Sequence, residues 1–292
     1  MTFSIVAYDA RTRELGGAIA SFGFGVGPLA LWARPGAGIV ITQMIPEPKY
    51  GSVGLDRMGA GEAADTVLSS LLKTDAVAGQ RQLAMLDPRG KVAVYTGAQC
   101  VAYAGHRAQA GISAQGAMLL NPGGWEQMYE AFESAEGSLA ERLIAALEKG
   151  QSLGGDIRGH RAAALIVVRA EVSDRPWRDR IVDLRIDDHR EPIKELRRLQ
   201  SLNQLYSASN NAFEAALNGD MAGALAEFAR LEQDTPDDPD VASRHGILLA
   251  LSGDTANARR RFGACYRITD AWREVVRRLA LAGFLPDDPR LL

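Results

Sequence analysis

Two apolar, β-prone runs at the start of the chain, Phe3–Tyr8 and Leu15–Ala20, flank the polar stretch 9–13. That pattern dictates a β-hairpin beginning at the second residue. Nothing basic-then-apolar precedes it, so no secretory leader is expected. A Thr directly after the initiator Met becomes the first residue once the Met is removed, which a small side chain permits. Thr2 would then carry a hydroxyl and a free α-amine on one residue. An α-amine titrates near pH ~8 and can act as general base toward its own hydroxyl, with no His required. Thr2 is therefore a candidate N-terminal nucleophile, set against the plainer reading that a Thr simply opens a strand. Because it follows Met1 directly, no propeptide needs cutting.

Further along, Phe22–Pro28 holds three glycines in five residues but lacks the Lys-Ser/Thr of a P-loop and the spacing of a dinucleotide fingerprint. A loop packed at a pocket wall fits it better than a phosphate cradle. Leu29–Ala33 and Gly38–Gln43 read as strands, Met44–Gly51 as a proline-stiffened loop, and Ala60–Lys73 as a helix begun at Ser52 or Gly54. Gln82–Leu86 and Lys91–Tyr95 form a hairpin over Asp87-Pro-Arg-Gly90. Gln99–Gly105 and Gln109–Ala114 suggest a short strand pair. Two helices are expected at Trp125–Ala135 and Ser138–Lys149, with Trp125, Tyr129 and Phe132 at core spacing, then strands at Ala163–Arg169 and Ile181–Ile186. Strand pairs, two helices and closing strands do not alternate as βαβ units. The pattern predicts an α+β domain of antiparallel sheets sandwiched by helices, over residues 1–192.

From about Glu195 the pattern turns wholly helical. Ala216–Phe228 recurs as Ala250–Phe262, an offset of 34 residues, with Leu217, Gly219, Asp220, Ala222, Ala224 and Phe228 matched by Leu251, Gly253, Asp254, Ala256, Ala258 and Phe262. This period resembles tetratricopeptide repeats. In physical terms Gly219 and Gly253 end one helix, Asp220 and Asp254 cap the next, and the alanines let paired helices approach. Residues 193–292 therefore read as a small all-α helical-repeat domain, with 234–239 linking the two units. Two repeats are few for independent stability, so the module is expected to pack on the first domain or on a second subunit, as in a homodimer. A protein partner at this tail is the alternative role.

The whole sequence narrows the function class. A net charge of −3 over 292 residues leaves no basic stripe for nucleic acid. No apolar run approaches the ~18 residues of a membrane span. Cys100 and Cys265 lie far apart with no CxxC, which suits a reducing cytoplasm and argues against a zinc site or disulfide framework. His160, His189 and His245 lack metal spacing, so no metal and no cofactor is expected. His106, in a turn beside Arg107, reads as a surface or hydrogen-bonded residue, and no Gly-x-Ser-x-Gly occurs.

Taken together, Thr2–Ala7, Leu15–Ser21, Thr42-Gln43, Tyr50-Gly51, Thr96-Gly97, Gly154–Gly159 and Val182–His189 resemble domain-of-unknown-function family 1028 over roughly residues 2–192. That family is similar to the N-terminal nucleophile hydrolases, so the resemblance implies a four-layer αββα sandwich and amide-bond hydrolysis. The segment after Pro192, ending Trp272–Leu279, resembles an appendage described as peptidoglycan-binding. The sequence departs from the family's usual pattern at Pro46-Glu47-Pro48 and near Ala117, where an Asn is common.

The expected function is thus cytoplasmic hydrolysis of a small amide or peptide-like substrate by Thr2. The Thr42-Gln43 and Ser113-Ala-Gln115 strand ends offer Gln43 and Gln115 as donors to substrate and its oxyanion. In the glycine-rich loop, Asp156 can hold the α-ammonium or tune its pKa, and Arg158 can pair with a substrate carboxylate in a two-point contact. The alternative for these two is a structural ion pair. A competing reading of the whole is a non-catalytic binding or scaffold protein that keeps the fold and binds a partner through its helical module.

Overall fold

The first hairpin forms in a computed structural model that describes residues 2–236 and 238–292; Met1 and Asp237, the latter within the 234–239 linker, lie outside the described residues. Strand β1 (Thr2–Asp9) pairs antiparallel with β2 (Glu14–Ser21), which sets Ser21 opposite Thr2. On its other side β1 pairs with β8 (Ile112–Ala117), with Ala117 opposite Thr2. With β7 (Gly105–Gln109), β9 (Ala162–Arg169) and β10 (Arg180–Ile186), these build an antiparallel sheet ordered β10-β9-β2-β1-β8-β7. A second antiparallel sheet runs β3 (Leu31–Arg34), β4 (Gly38–Met44), β5 (Arg81–Leu86), β6 (Val92–Thr96) in that order.

Both faces of the central strands are buried, and strand alternation sorts their side chains between two cores. Phe3, Ile5 and Ala7 pack with α4 (Gly124–Ser134) and α5 (Leu139–Ser152). Val6, Leu15 and Ile19 instead meet Ile39, Ile41 and Ala84 of the second sheet. That sheet's other face, through Val40, Leu83 and Met85, packs against α2 (Pro48–Gly59) and α3 (Ala64–Leu72). The N-terminal unit is mixed α+β, with helices on the side of each sheet away from its neighbour.

Local chemistry moves several predicted boundaries. The expected loop before Gly51 is helical from Pro48, because a Pro at the first helical position has no N–H to leave unpaired, and the Glu47 side chain caps the turn. The single helix expected through Ala60–Lys73 is two, interrupted where Gly61 turns at φ +97°. A five-residue helix, α1 (Val26–Ala30), takes the end of the glycine-rich loop and the first two residues of the strand expected at Leu29–Ala33, so β3 begins only at Leu31. The pair expected at Gln99–Gly105 and Gln109–Ala114 lies a few residues later, as β7 and β8, because Gly111 at φ +82° makes the tight turn between them.

By contact density the chain divides at Gln200/Ser201, inside α6 (Pro192–Leu217). The second unit continues through α7 (Met221–Asp234), α8 (Pro239–Leu251), α9 (Thr255–Ile268) and α10 (Ala271–Leu281). The repeat supplies matching punctuation. Gly219 and Gly253 turn at φ +101° and +90°, and Asp220 and Asp254 accept from the backbone N–H of Gly223 and Asn257. Phe228 and Phe262 are buried at equivalent positions, beside the buried Ala224 and Ala258. Among the described residues no helix is long and apolar enough to cross a membrane.

Candidate active site

The space between the two sheets is apolar along most of its length and polar at one end. On β1 the alternation that sends Phe3 and Ile5 outward turns Thr2 and Ser4 inward, and the antiparallel neighbours contribute Ser21, Ser113 and Gln115 to the same end. Gln43 and Gln82 face them from the second sheet, opposite one another in register. All are buried, and Ser4, Gln82, Ser113 and Gln115 are wholly inaccessible. Buried polar groups must be paired, and here they pair with one another.

Ser4 donates to Gln43 Oε1 at 2.7 Å and accepts from Gln115 Nε2 at 2.7 Å. Gln115 Oε1 accepts from Ser113 at 2.7 Å. Gln43 Nε2 donates to the Thr2 carbonyl at 3.3 Å and to Gln82 Oε1 at 2.6 Å. Gln82 Nε2 reaches the Thr96 hydroxyl at 2.9 Å and the Gly105 and Gly116 carbonyls, each at 3.0 Å. Thr96 in turn meets the exposed His106 ring at 2.9 Å. Desolvation holds the His106 pKa below its usual value, against an opposing pull from Glu126.

Thr2 stands at the end of this network. Its hydroxyl donates to Ser21 Oγ at 3.1 Å, and Ser21 Oγ also accepts from the Gly23 N–H at 3.0 Å. A cavity of about 160 Å³ opens there, lined by Thr2, Ser21, Thr42, Gln43 and Arg158, with Phe24, Val26, Leu29, Ala30, Met44 and Pro46 supplying an apolar wall. Met44 sits at φ +72°, a left-handed conformation that a Met rarely adopts and that concentrates at functional sites.

Three of the sequence candidates, Thr2, Gln43 and Arg158, therefore meet at one cavity, and Asp156 backs it. The loop 154–159 turns through Gly154, Gly155 and Gly159, all at positive φ, and docks on the segment after β8 through Leu120 N–H to Gly155 and Ile157 N–H to Met118. This brings Asp156 to the Phe22 N–H, at 3.2 Å, one residue beyond Ser21. The Arg158 guanidinium grips Asp156 by Nε to Oδ1 at 3.0 Å and Nη2 to Oδ2 at 2.8 Å. Its fork is thus turned on Asp156, and its guanidinium carbon lies 5.3 Å from the centre of the Phe22 ring. Burial works to raise the Asp156 pKa, but the Arg158 side chain and the backbone N–H groups of Arg158 and Phe22 outweigh it and hold it below the usual carboxylate range.

Asp156→Asn is expected to destabilise the N-terminal unit by about 1.5–3 kcal/mol at neutral pH, since it removes charge-assisted hydrogen bonds from Arg158 and the Phe22 N–H, while the Arg158 guanidinium left behind is partly exposed to water. A carboxyl with a lowered folded-state pKa contributes stability above the unfolded value and loses it as pH falls through the folded one. Urea midpoints of wild type and variant should therefore stay apart from pH 7 down to about pH 4, the unfolded-state value, and converge only below it. A gap that persists undiminished below about pH 4 would show that the carboxylate is not the stabilising group.

Gln115 does not line the cavity. It is one link removed, behind Ser4. Gln43 does line it, but both of its amide hydrogens are engaged, so its contacts hold the Thr2 carbonyl. Ser4, Ser21 and Gln82 were missed from the sequence. Ser21 was within reach, because a hairpin turning at 10–13 already sets it opposite Thr2. A Gln on the inward alternation of an otherwise apolar strand was the corresponding signal for Gln82.

A second cavity, of about 120 Å³, lies beside Tyr50 and Asp75, where Asp75 is bonded by Tyr50 and Arg81 at 2.9 and 2.8 Å. It holds no candidate nucleophile. Among the described residues no cluster of three or more His, Cys, Asp or Glu is placed to hold a metal ion.

Over residues 2–196 the chain matches the model of a family described as a family of unknown function, DUF1028. It is also similar to the crystal structure of protein SPO2555 from Silicibacter pomeroyi, assigned to the same family model. The two are 30% identical, the match covers 68% of this chain and 88% of that one, and the TM-score is 0.61. No curated protein matches the chain.

Proposed function

The chain belongs to the DUF1028 family of unknown function, and on that footing we propose that its N-terminal unit hydrolyses amide bonds with Thr2 as an N-terminal nucleophile. The observation that carries this reading is the placement of the Thr2 hydroxyl, which is buried, bonded to Ser21 and open to a cavity at the polar end of an otherwise apolar inter-sheet space. The helices over both sheets support reading the unit as a four-layer αββα sandwich of the N-terminal nucleophile type. The matched caps at Asp220 and Asp254 support a tetratricopeptide-like second unit.

In this mechanism the freed α-amine takes the Thr2 hydroxyl proton, and Oγ1 attacks the amide carbonyl. The protonated amine then delivers the proton to the leaving nitrogen as the C–N bond breaks. Water, activated by the same amine, hydrolyses the resulting ester. Gln43, fixed by Ser4 and Gln82, holds the Thr2 carbonyl and so orients the residue; Asp156 supplies negative charge one residue beyond Ser21.

The test is intact mass and N-terminal sequencing of protein made without an N-terminal tag. A chain beginning at Thr2 is expected. Quantitative retention of Met1 leaves the amine bound as an amide and sinks the mechanism. The second reading, a non-catalytic protein that binds a partner through its helical unit, draws on Leu217 and Leu251, repeat-equivalent leucines that are 70% and 46% exposed.

A further inference from the structure

The wall of the Thr2 cavity is built for a particular kind of group. In α1 the spacing i, i+3, i+4 sets Val26, Leu29 and Ala30 on one helical face, and all three line the cavity. Opposite them, the left-handed turn at Met44 brings Met44 and Pro46 to the same lining. Phe24 and Leu29 remain 70% and 44% exposed, which leaves large apolar side chains facing solvent at the rim. The charged lining residue, Arg158, is gripped at two points by the buried Asp156 carboxylate, so the pair presents little net charge to an occupant.

We infer that the cavity is a specificity pocket that takes a neutral, aliphatic or small aromatic group adjoining the scissile carbonyl. The inference rests on the reading of Thr2 as nucleophile and adds its substrate class: amides of apolar acyl groups or residues, in preference to acidic or basic ones. Leu29 is a specificity-determining residue of this pocket.

The test uses the full chain and a set of β-lactones that differ only in substituent: isobutyl, carboxyethyl and aminobutyl. Thr2 Oγ attacks the lactone carbonyl, the ring C–O bond breaks, and the hydroxyl proton ends on the ring oxygen, so the protein gains the whole lactone mass. Acylation of Thr2, located by peptide mapping, is expected to be faster for the isobutyl lactone by on the order of a hundredfold, because a charged substituent would enter an apolar wall unpaired. Leu29→Lys, whose ammonium can reach water from this half-exposed position, should narrow that gap for the carboxyethyl lactone. Thr2 acylation with no preference, or with preference for a charged substituent, overturns the pocket chemistry and leaves the nucleophile standing. No adduct at Thr2 on a chain that begins there, or an adduct at another residue, overturns both.

Discussion

Gln82→Leu is expected to lower the stability of the N-terminal unit by on the order of 4 kcal/mol. The substitution keeps roughly the same volume, so the effect comes from hydrogen bonds rather than from a cavity. Gln82 is inaccessible to solvent. Its amide donates toward Thr96, Gly105 and Gly116, and its carbonyl accepts from Gln43. Leucine strands the buried Gly116 carbonyl and Gln43 amide, while the half-exposed Thr96 and Gly105 can turn to water, and a buried polar group so stranded costs about 1–3 kcal/mol. Amide exchange in peptides from β1, β5 and β8 should report the loss locally, whatever the second unit does. Gln43→Leu combined with Gln82→Leu should destabilise by less than the two single effects added, because each removes a partner the other has already lost. Full additivity would mean that the two side chains act separately and that no network holds Thr2 in place.

The same residues show what the sequence made legible. Apolar runs punctuated by turns located most of the strands, and the 34-residue offset located the second unit's caps, because period and cap chemistry are local properties. Thr2 was visible for the same reason, as a position rather than a contact. The inter-sheet network was not, since it exists only once two sheets face each other and Gln43 meets Ser4 and Gln82 across the gap. Gln115 illustrates the limit. β8 sets Gln115 opposite Ser4, and nothing local distinguishes a side chain lining the cavity from one sealed behind Ser4. Arg158 shows the converse, since Asp156 lies two residues away and the ion pair was legible as an alternative, yet only the folded loop turns the fork onto Asp156. The helix α1 escaped because five residues carry too little periodicity to separate a helical turn from a strand.

Thr2→Ala is expected to reduce lactone acylation by at least about a thousandfold, the scale on which removing a covalent nucleophile acts, while changing stability by only about 1 kcal/mol. The stability term is small because the substitution removes one methyl group and one hydroxyl contact, to Ser21. Thr2→Ser keeps both hydroxyl and amine, so it should retain measurable acylation. Loss in both variants would point to the Thr methyl group and packing instead of chemistry. The pH dependence provides an independent check. The α-amine acts as base only when neutral, so acylation should rise with pH and level off above its pKa, near ~8 for an unperturbed amine. A nearby carboxylate favours the ammonium form and displaces the midpoint upward. If Asp156 acts on the amine, Asp156→Asn should shift that midpoint downward while leaving the plateau dependent on Thr2. An unmoved midpoint would assign Asp156 to the loop and to Arg158 alone, and would leave the tuning of the amine to other groups at the polar end of the sheets.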